Sequence, residues 1–218
     1  MRIKWLGHSA FLLSAADGTA IITDPYLSGS FNGEVKYGSI HDAADVVTVS
    51  HHHQDHDGVS GLPGKPKVIE GRGSHKVGSV SIVGVETFHD ENQGAGRGRN
   101  TVFVFDADGV RVCHCGDLGH VLTAQQASAI GKVDVLLVPV GGTFTVDAAG
   151  ARKVAAQLAA TVIIPMHYKT DKLGFPIAGL EDFTQGEQNV KRVGSAEVEL
   201  SAHKLPPEPE IWVLDHAL

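Results

Sequence analysis

Residues 50–58 read SHHHQDHDG, with four histidines and two aspartates in nine positions. They follow DVVTVS (45–50), an apolar, β-branched run that is typical of a strand. Imidazole nitrogen and carboxylate oxygen are the ligands that zinc and related metals take in open sites. In α/β proteins, sites tend to form in loops at the edge of a sheet. The stretch therefore predicts a metal site at a sheet edge, within an α/β fold.

The loop supplies more ligands than one open metal site needs. His51 and His53 can point the same way if the loop begins extended, which leaves His52 on the other side. Asp55 and His56 follow after enough chain to turn back. Four such groups exceed the three protein ligands of an open catalytic site, so two metals sharing the loop would use them all.

Further candidate ligands follow three other predicted strands. His89 follows SVSIVGVETF, Asp117 follows VRVCHCG, and His167 follows TVIIPM. With the loop residues they make five histidines and two aspartates, enough for two metals bridged by a carboxylate. The alternatives are a solvated histidine-rich loop or a structural zinc site, which is usually closed and rich in cysteine.

The rest of the chain has the pattern of one α/β domain. Short apolar runs bounded by Gly, Asp, Asn or Pro recur from end to end. DVLLVPV and TVIIP are continuously apolar, which predicts strands buried on both faces. Helices are predicted at 123–132, with Thr123 as N-cap, at 147–160, with Asp147 as N-cap, and more weakly at 180–193.

Composition restricts the class of protein and its partners. Apolar residues are 42% and charged residues 20% of 218 residues, as in soluble globular proteins. The net charge of −7, without a basic block, argues against nucleic acid as a partner. No apolar run is long enough for a membrane span, and the N-terminus lacks the pattern of a signal peptide. We expect a cytoplasmic protein with a small-molecule substrate and no membrane partner; the sequence is silent on oligomeric state.

The ordered pattern H-x-H-x-D-H, His, Gly-Asp and a His after an apolar strand resembles that of the metallo-β-lactamase superfamily. The flanks LGHSAFLL, IITDPYL, CGDLGH, VGGTFTVD and IPMHY resemble one branch of it. That branch contains ascorbate-6-phosphate lactonase-like proteins and the phospholipase D that acts on N-acyl-phosphatidylethanolamines. The resemblance runs from about residue 3 to about residue 170 and is more specific for fold and metals than for substrate.

The resemblance implies a fold, a domain and a ligand set. The fold is a four-layer αβ/βα sandwich, a single metallo-β-lactamase-like hydrolase domain over 1–218, with the site at one edge between two sheets. Asp24 matches a position near the ligand loops that is usually structural, and it is not counted as a ligand. The implied ligands are His51, His53 and His89 for one metal, Asp55, His56 and His167 for the other, and Asp117 bridging both.

These residues predict a metal-dependent hydrolase. Two divalent ions, with Zn²⁺ favoured over Mn²⁺ or Fe, would lower the pKa of a bridging water from about 15.7 toward 7. The resulting hydroxide would attack an ester, lactone or phosphoester, while Asp55 helps to fix its geometry. Two alternatives stay open: an iron-dependent redox enzyme on the same fold, and a non-catalytic metal-binding module.

Several other residues invite a role in the site. His8, in a turn that can overhang the metals, and His120, three residues past Asp117, are candidates for orienting substrate or donating a proton. Arg97 and Arg99, in a glycine-rich loop, could bind a phosphate or carboxylate, or could belong to an exposed hairpin.

Two further groups are predicted to lie outside the metal site. His75 competes with His89 as a ligand, but it sits in a polar turn rather than past an apolar strand. Cys113 and Cys115 are expected on one face of a strand as small buried apolar residues.

Overall fold

Two mixed β-sheets form the body of the protein, which a computed structural model describes over residues 1–218. The strands are, in chain order, β1 (Arg2–Gly7), β2 (Ala10–Ser14), β3 (Ala20–Thr23), β4 (Val46–Val49), β5 (Lys67–Glu70), β6 (Gly73–Val77), β7 (Val80–Phe88), β8 (Arg99–Ala107), β9 (Val110–His114), β10 (Val135–Pro139), β11 (Val162–Met166), β12 (Val190–Arg192), β13 (Glu197–Glu199) and β14 (Glu210–Val213).

The sheets combine antiparallel hairpins with parallel strands. The six-stranded sheet has the order β13-β1-β2-β3-β4-β5, and the eight-stranded sheet has the order β12-β14-β11-β10-β9-β8-β7-β6. β3, β4 and β5 are parallel, as are β9, β10, β11, β14 and β12. The other pairs are antiparallel. The chain therefore opens with an antiparallel meander, β1–β3, and continues with parallel pairing where strands and helices alternate.

The helices are short. They are α1 (Ser30–Gly33), α2 (Ala124–Ile130), α3 (Ala148–Gln157) and α4 (Leu180–Thr184), with single 3-10 turns at Val59–Gly61 and Ala202–Lys204. Both predicted N-caps are confirmed, because Thr123 accepts from the Gln126 N–H and Asp147 accepts from the Gly150 N–H.

The prediction of a helix over 180–193 was wrong beyond Thr184. The chain leaves the helix at Gln185, and Gly186 has a φ of +83°. Residues 190–192 then pair with β14 as β12. A left-handed glycine just after a helix is a common stop signal.

Alternate residues of the six-stranded sheet belong to two different apolar cores, one on each face of the sheet. Ile21 and Val46 point into the core between the sheets, whereas Ile22 and Val47 point outward. The outward face is covered by the segments 26–44 and 171–177, whose Tyr26, Tyr37 and Phe175 join this second core. The four-layer sandwich is confirmed, with coil rather than long helix outside this sheet.

The strand ends place the predicted ligands together. β3, β4, β7, β9 and β11 end at or just before Asp24, His51, His89, Asp117 and His167 respectively. The continuously apolar β10 lies between β9 and β11 and is buried along its length, as predicted. No helix in the structure is both long and apolar enough to cross a bilayer.

Phe103→Ala is expected to lower the free energy of unfolding by about 3–5 kcal/mol, the usual cost of removing a buried phenyl ring. Phe103 is fully buried between the sheets, near Phe105. Urea unfolding would measure the loss. Val68→Ala is the control, since Val68 is 41% exposed and should change stability by less than about 0.5 kcal/mol. If both variants changed the free energy of unfolding by the same small amount, this packing of Phe103 would be contradicted.

Candidate metal centre

The Asp117 carboxylate lies at the centre of a cluster of imidazoles. All but one of the predicted ligands are buried, and the exposed one is His53, at the mouth of the site. The Nε2 atoms of four rings face the two oxygens of Asp117, at 3.7 Å for His51, 3.1 Å for His56, 3.3 Å for His89 and 3.4 Å for His167. The structure therefore brings ligands from four strand ends to one point.

Close spacing of the ligand atoms defines three groups around Asp117. One is His51, His53 and His89; another is Asp55, His56 and His167, joined by His8; the third, Asp24, His51 and His56, shares one ring with each of the others. Within each group the ligand atoms all lie within 4.8 Å of one another. The first two groups contain the residues that the sequence resemblance assigns to each metal, and His75 lies outside them on β6.

Unpartnered polar atoms test whether metals fit this cluster. His56 Nε2 and Asp117 Oδ1 are both fully buried and 3.1 Å apart, yet neither makes a hydrogen bond. Buried polar atoms are rarely left without a partner in native proteins. A cation between them would satisfy both, and a set of nitrogen and oxygen ligands without thiolate suits Zn²⁺, Mn²⁺ or Fe. The residues present thus fit divalent metals.

Asp24 orients two of the ligand rings. Its carboxylate accepts from the Ser50 backbone N–H at 2.8 Å, the Ser50 hydroxyl at 2.5 Å and His56 Nδ1 at 2.9 Å. Because the Ser50 hydroxyl donates to Asp24, its oxygen accepts from His51 Nδ1, 3.0 Å away. Both rings then carry a proton on Nδ1 and turn Nε2 toward Asp117. A carboxylate behind a ligating histidine commonly fixes its tautomer in this way.

The electrostatics of the cluster favour a cation. Burial lowers the pKa of His51 to about 3, so this ring is neutral near pH 7. Burial opposes charge on His56, but the Asp117 and Asp55 carboxylates outweigh it and raise its pKa well above the usual value. Burial also opposes ionisation of Asp117, yet the His167 and His56 rings keep the pKa of this carboxyl well below its usual value. A divalent cation and a proton therefore compete for His56 Nε2.

His8 lies in the cluster, as its predicted position at a turn between the first strands implied. Its Nε2 is 3.0 Å from Asp55 Oδ2, and its ring is tilted by 40° against that of His167, with centroids 4.3 Å apart. Burial, with the neighbouring His167, lowers the pKa of His8 to about 4, so the neutral ring donates to Asp55. His8, Asp24 and His167 all have a left-handed φ, a conformation that non-glycine residues seldom adopt outside constrained sites.

The structure does not bring His120 to the cluster, which corrects its prediction as a catalytic residue. The Phe88 N–H donates to His120 Nε2 at 3.2 Å, and His120 Nδ1 donates to the Val121 carbonyl at 2.8 Å. Both ring nitrogens are thus engaged with backbone, on a surface hollow apart from the ligands. The turn after Asp117 directs the histidine away from the site.

The loop over residues 90–98 is held by a single carboxylate. Asp90 accepts from the backbone N–H groups of four residues that follow it, and those bonds keep the pKa of Asp90 below its usual value. The donors are Asn92, Gly94, Gly96 and Arg97, at 2.7–2.9 Å. The glycine-rich loop that carries Arg97 is therefore fixed by its own hydrogen bonds beside His89.

The two arginines predicted to bind substrate lie in different places. Arg97 lines a cavity of about 620 Å³ that opens onto His53, Asp55 and His167. Arg99 lies outside that cavity and pairs with Glu86 at 3.2 Å. Arg99 lines, with Arg97, His51 and His53, a second hollow on the other side of His53 from Asp55 and His167, so of the two arginines Arg97 alone lines the cavity over Asp55, Asp117 and His167.

Sequence reasoning missed how Asp24 works and which aromatic residues line the cavity. Asp24 was assigned a structural place, and its position after a strand was the available signal. Phe31, Phe144 and Phe175 also line the cavity, but single aromatic residues in loops carry no pattern that distinguishes a site from a surface. Cys113 and Cys115 are free and buried, as predicted.

Asp24→Asn is expected to weaken metal binding by about 10–100-fold, the usual effect of losing the carboxylate behind a ligating histidine. The amide presents a donor where Ser50 and His56 both donate. Competition with a chromogenic chelator would measure the affinity, and far-ultraviolet circular dichroism would show that the fold persists. Asp57→Asn is the control, because the Asp57 carboxylate pairs with the exposed His52 ring, and its backbone N–H, which donates to the His53 carbonyl, is unchanged by the substitution. An unchanged affinity in Asp24→Asn would contradict its orienting role.

Gly119→Ala is expected to displace His89. A Cβ at Gly119 would lie 2.2 Å from the His89 carbonyl carbon, so the backbone that carries this ligand must move. We expect the metal content to fall by about one equivalent relative to the parent protein, because one ligand group loses a member. Elemental analysis would measure this. In the control, Gly38→Ala, the nearest atom is 3.6 Å away and metal content should not change; equal contents in both variants would contradict the contact.

Comparison with known proteins agrees with the fold and the cluster. The family model for the beta-lactamase superfamily domain matches residues 2–167. A UPF0173 metal-dependent hydrolase of Archaeoglobus fulgidus is 31% identical over 78% of this chain and 84% of its own. Another from Methanoculleus marisnigri is 30% identical over 92% and 93%.

A solved structure extends the similarity to nearly the whole chain. It is that of a proposed Zn-dependent hydrolase of the metallo-β-lactamase superfamily from Thermotoga maritima. It covers 98% of both chains, with 42% sequence identity and a TM-score of 0.80. The ligand cluster, the two-sheet fold and these relatives lead to one conclusion: the chain belongs to the metallo-β-lactamase superfamily, among its metal-dependent hydrolases.

Proposed function

We propose that the protein hydrolyses an ester, lactone or phosphoester bond of a small molecule with the aid of two divalent metal ions, Zn²⁺ being favoured. The observation that carries the proposal is the pair of ligand groups around the Asp117 carboxylate, both of which contribute residues to one cavity. The cavity volume of about 620 Å³ falls in the range of small-molecule sites. The net charge of −7 supports the expectation that nucleic acid is not the substrate.

Each residue of the cluster has a defined part in this proposal. His51, His53 and His89 would hold one ion, Asp55, His56 and His167 the other, and Asp117 both. When bound, such ions supply hydroxide at neutral pH and polarise the substrate oxygen. His51 and His56 are held with Nε2 inward by Ser50 and Asp24, so the ligand lone pairs are oriented before any ion binds.

His8 holds the Asp55 carboxylate in place in this proposal. Asp55 Oδ2 accepts from His8 Nε2, which leaves the other carboxylate oxygen free for an ion or for the proton of the attacking water. His8 is fully buried, and its ring contacts those of His167 and Phe175. It therefore positions Asp55 and does not exchange protons with bulk water. Arg97 would bind an anionic part of the substrate.

Elemental analysis of the protein purified without added metal tests the proposal. We expect about two equivalents of Zn or Mn, lost in a His51→Ala, His53→Ala double variant. His52→Ala is the matched control, because His52 sits in the same loop but pairs with Asp57 and Glu70 at the surface. The parent protein and both variants would then be assayed on a panel of lactones, carboxylic esters and phosphodiesters, and activity should follow metal content.

The other outcomes distinguish the alternatives. Two equivalents of iron, with a redox-active absorption spectrum and no hydrolysis, would favour the iron-dependent redox enzyme. Two equivalents of zinc without turnover on any substrate class would favour a non-catalytic metal-binding module. Absence of metal after reconstitution would contradict the metal assignment itself.

A further inference from the structure

The cavity above the ligand cluster has one apolar wall. Phe31, Phe144 and Phe175 line it and are called the aromatic wall below. The Phe175 ring is 5.3 Å from Phe31 and 6.0 Å from Phe144, edge to face in both pairs. Phe175 also meets the His8 ring at 5.9 Å. The aromatic wall therefore reaches from the cavity mouth to the ligand cluster.

The aromatic wall is built from three separate loops that the fold holds in place. Phe31 lies in α1, Phe144 follows β10, and Phe175 follows β11 and His167. An isolated bridge between Val35 and Leu173 ties the first loop to the third, and Gly174 N–H donates to the Glu34 carbonyl at 2.8 Å. The carboxylate end of the Glu34 side chain lies against the Gly174 Cα, so the two loops are in close contact here.

Phe31 is displayed to the cavity at an energetic cost. Its φ is +51° and that of Asn32 is +55°, a left-handed turn that costs about 1–3 kcal/mol for each non-glycine residue. The ring is nevertheless 40% exposed, although a phenyl ring gains most by full burial. A strained backbone that presents an exposed aromatic ring beside a metal centre is consistent with a surface that a ligand covers.

Arg97 adds one free positive charge to this wall. Its guanidinium lies 5.3 Å from the centroid of the Phe144 ring, and no carboxylate forms an ion pair with it, unlike Arg99. Its backbone N–H is bound to Asp90 at 2.7 Å, so the base of the side chain is fixed. Among the carboxylates of the lining, Asp55 and Asp117 belong to the cluster, and Glu34 lies against Gly174 without pairing with Arg97.

We infer that the substrate is an organic anion that carries a ring-sized apolar group. The apolar group packs against the aromatic wall, and the anionic group binds the Arg97 guanidinium at its edge. This inference rests on the proposed function, since it places the bond to be hydrolysed over the ligand cluster between these two contacts. The aromatic wall and Arg97 thus determine which substrate binds, and the bond to be hydrolysed lies over the ligand cluster.

A binding experiment tests this selection without relying on turnover. The affinity of the metal-loaded protein would be measured by titration calorimetry for 4-phenylbutyrate, butyrate and 4-phenylbutan-1-ol. We expect 4-phenylbutyrate to bind about ten-fold or more tightly than either of the others, because only it has both the ring and the charge. In Phe31→Ala the ratio of the affinity for 4-phenylbutyrate to the affinity for butyrate should fall several-fold.

The arginine variants identify where the carboxylate binds. In Arg97→Gln, 4-phenylbutyrate should bind no more tightly than 4-phenylbutan-1-ol, and Arg97→Lys should recover part of the difference. Arg99→Gln is the matched control and should bind like the parent protein. If Arg97→Gln leaves the affinity unchanged, the carboxylate binds the metals instead and the inference is wrong.

Failure of the inference and failure of the proposed function give different results. Equal affinity for 4-phenylbutyrate and butyrate, in a protein that hydrolyses an ester, lactone or phosphodiester, overturns only the inference. The expected binding pattern in a metal-loaded protein that hydrolyses none of them supports the inferred ligand class and contradicts hydrolysis.

Discussion

The buried Asp24 carboxylate is the interaction on which the metal centre depends. It accepts three hydrogen bonds, two from Ser50 at the end of β4 and one from the His56 ring. These bonds link the end of β3 to the loop that carries most of the ligands. They also place the proton of the His51 and His56 rings on Nδ1, which leaves Nε2 free to bind a metal. Without a fixed acceptor there, His51 and His56 would be free to turn, and the cluster would have to be ordered by the metals alone.

The sheets convert separate segments of chain into one site. The parallel pair β3 and β4 delivers Asp24 and His51 to the same edge, and β9, β10 and β11 do the same for Asp117 and His167. Loops close the remaining gap at contacts that only glycine allows: Gly116 meets Ser50, and Gly119 meets His89. The geometry around Asp117 is therefore a property of the whole sandwich, and packing between the sheets supports the ligands.

Sequence reasoning singled out side chains that the structure brings together, because each is a distinctive residue type that follows an apolar strand, and strand ends meet at sheet edges. It was less informative wherever the direction of a side chain decided the role. His120 and Asp117 are three residues apart, yet a turn sends the histidine to the Phe88 backbone. Arg97 and Arg99 look equivalent in sequence, and the hydrogen bonds to Asp90 separate them. The helix expected over 180–193 ends early because Gly186 reverses the chain.

The Asp90 loop has a consequence for how this protein can change over evolution. Its shape comes from backbone N–H groups bound to one carboxylate. Apart from its glycines, the loop therefore depends little on which side chains stand at 91–96. Glu91, Gln93 and Ala95 are exposed and donate no hydrogen bond to Asp90. Glu91 and Gln93 line the surface hollow that contains His120, away from the cavity over the metal ligands. Substitutions at these positions can therefore change that neighbouring surface freely, while the backbone of the loop keeps Arg97 in place beside the ligand cluster.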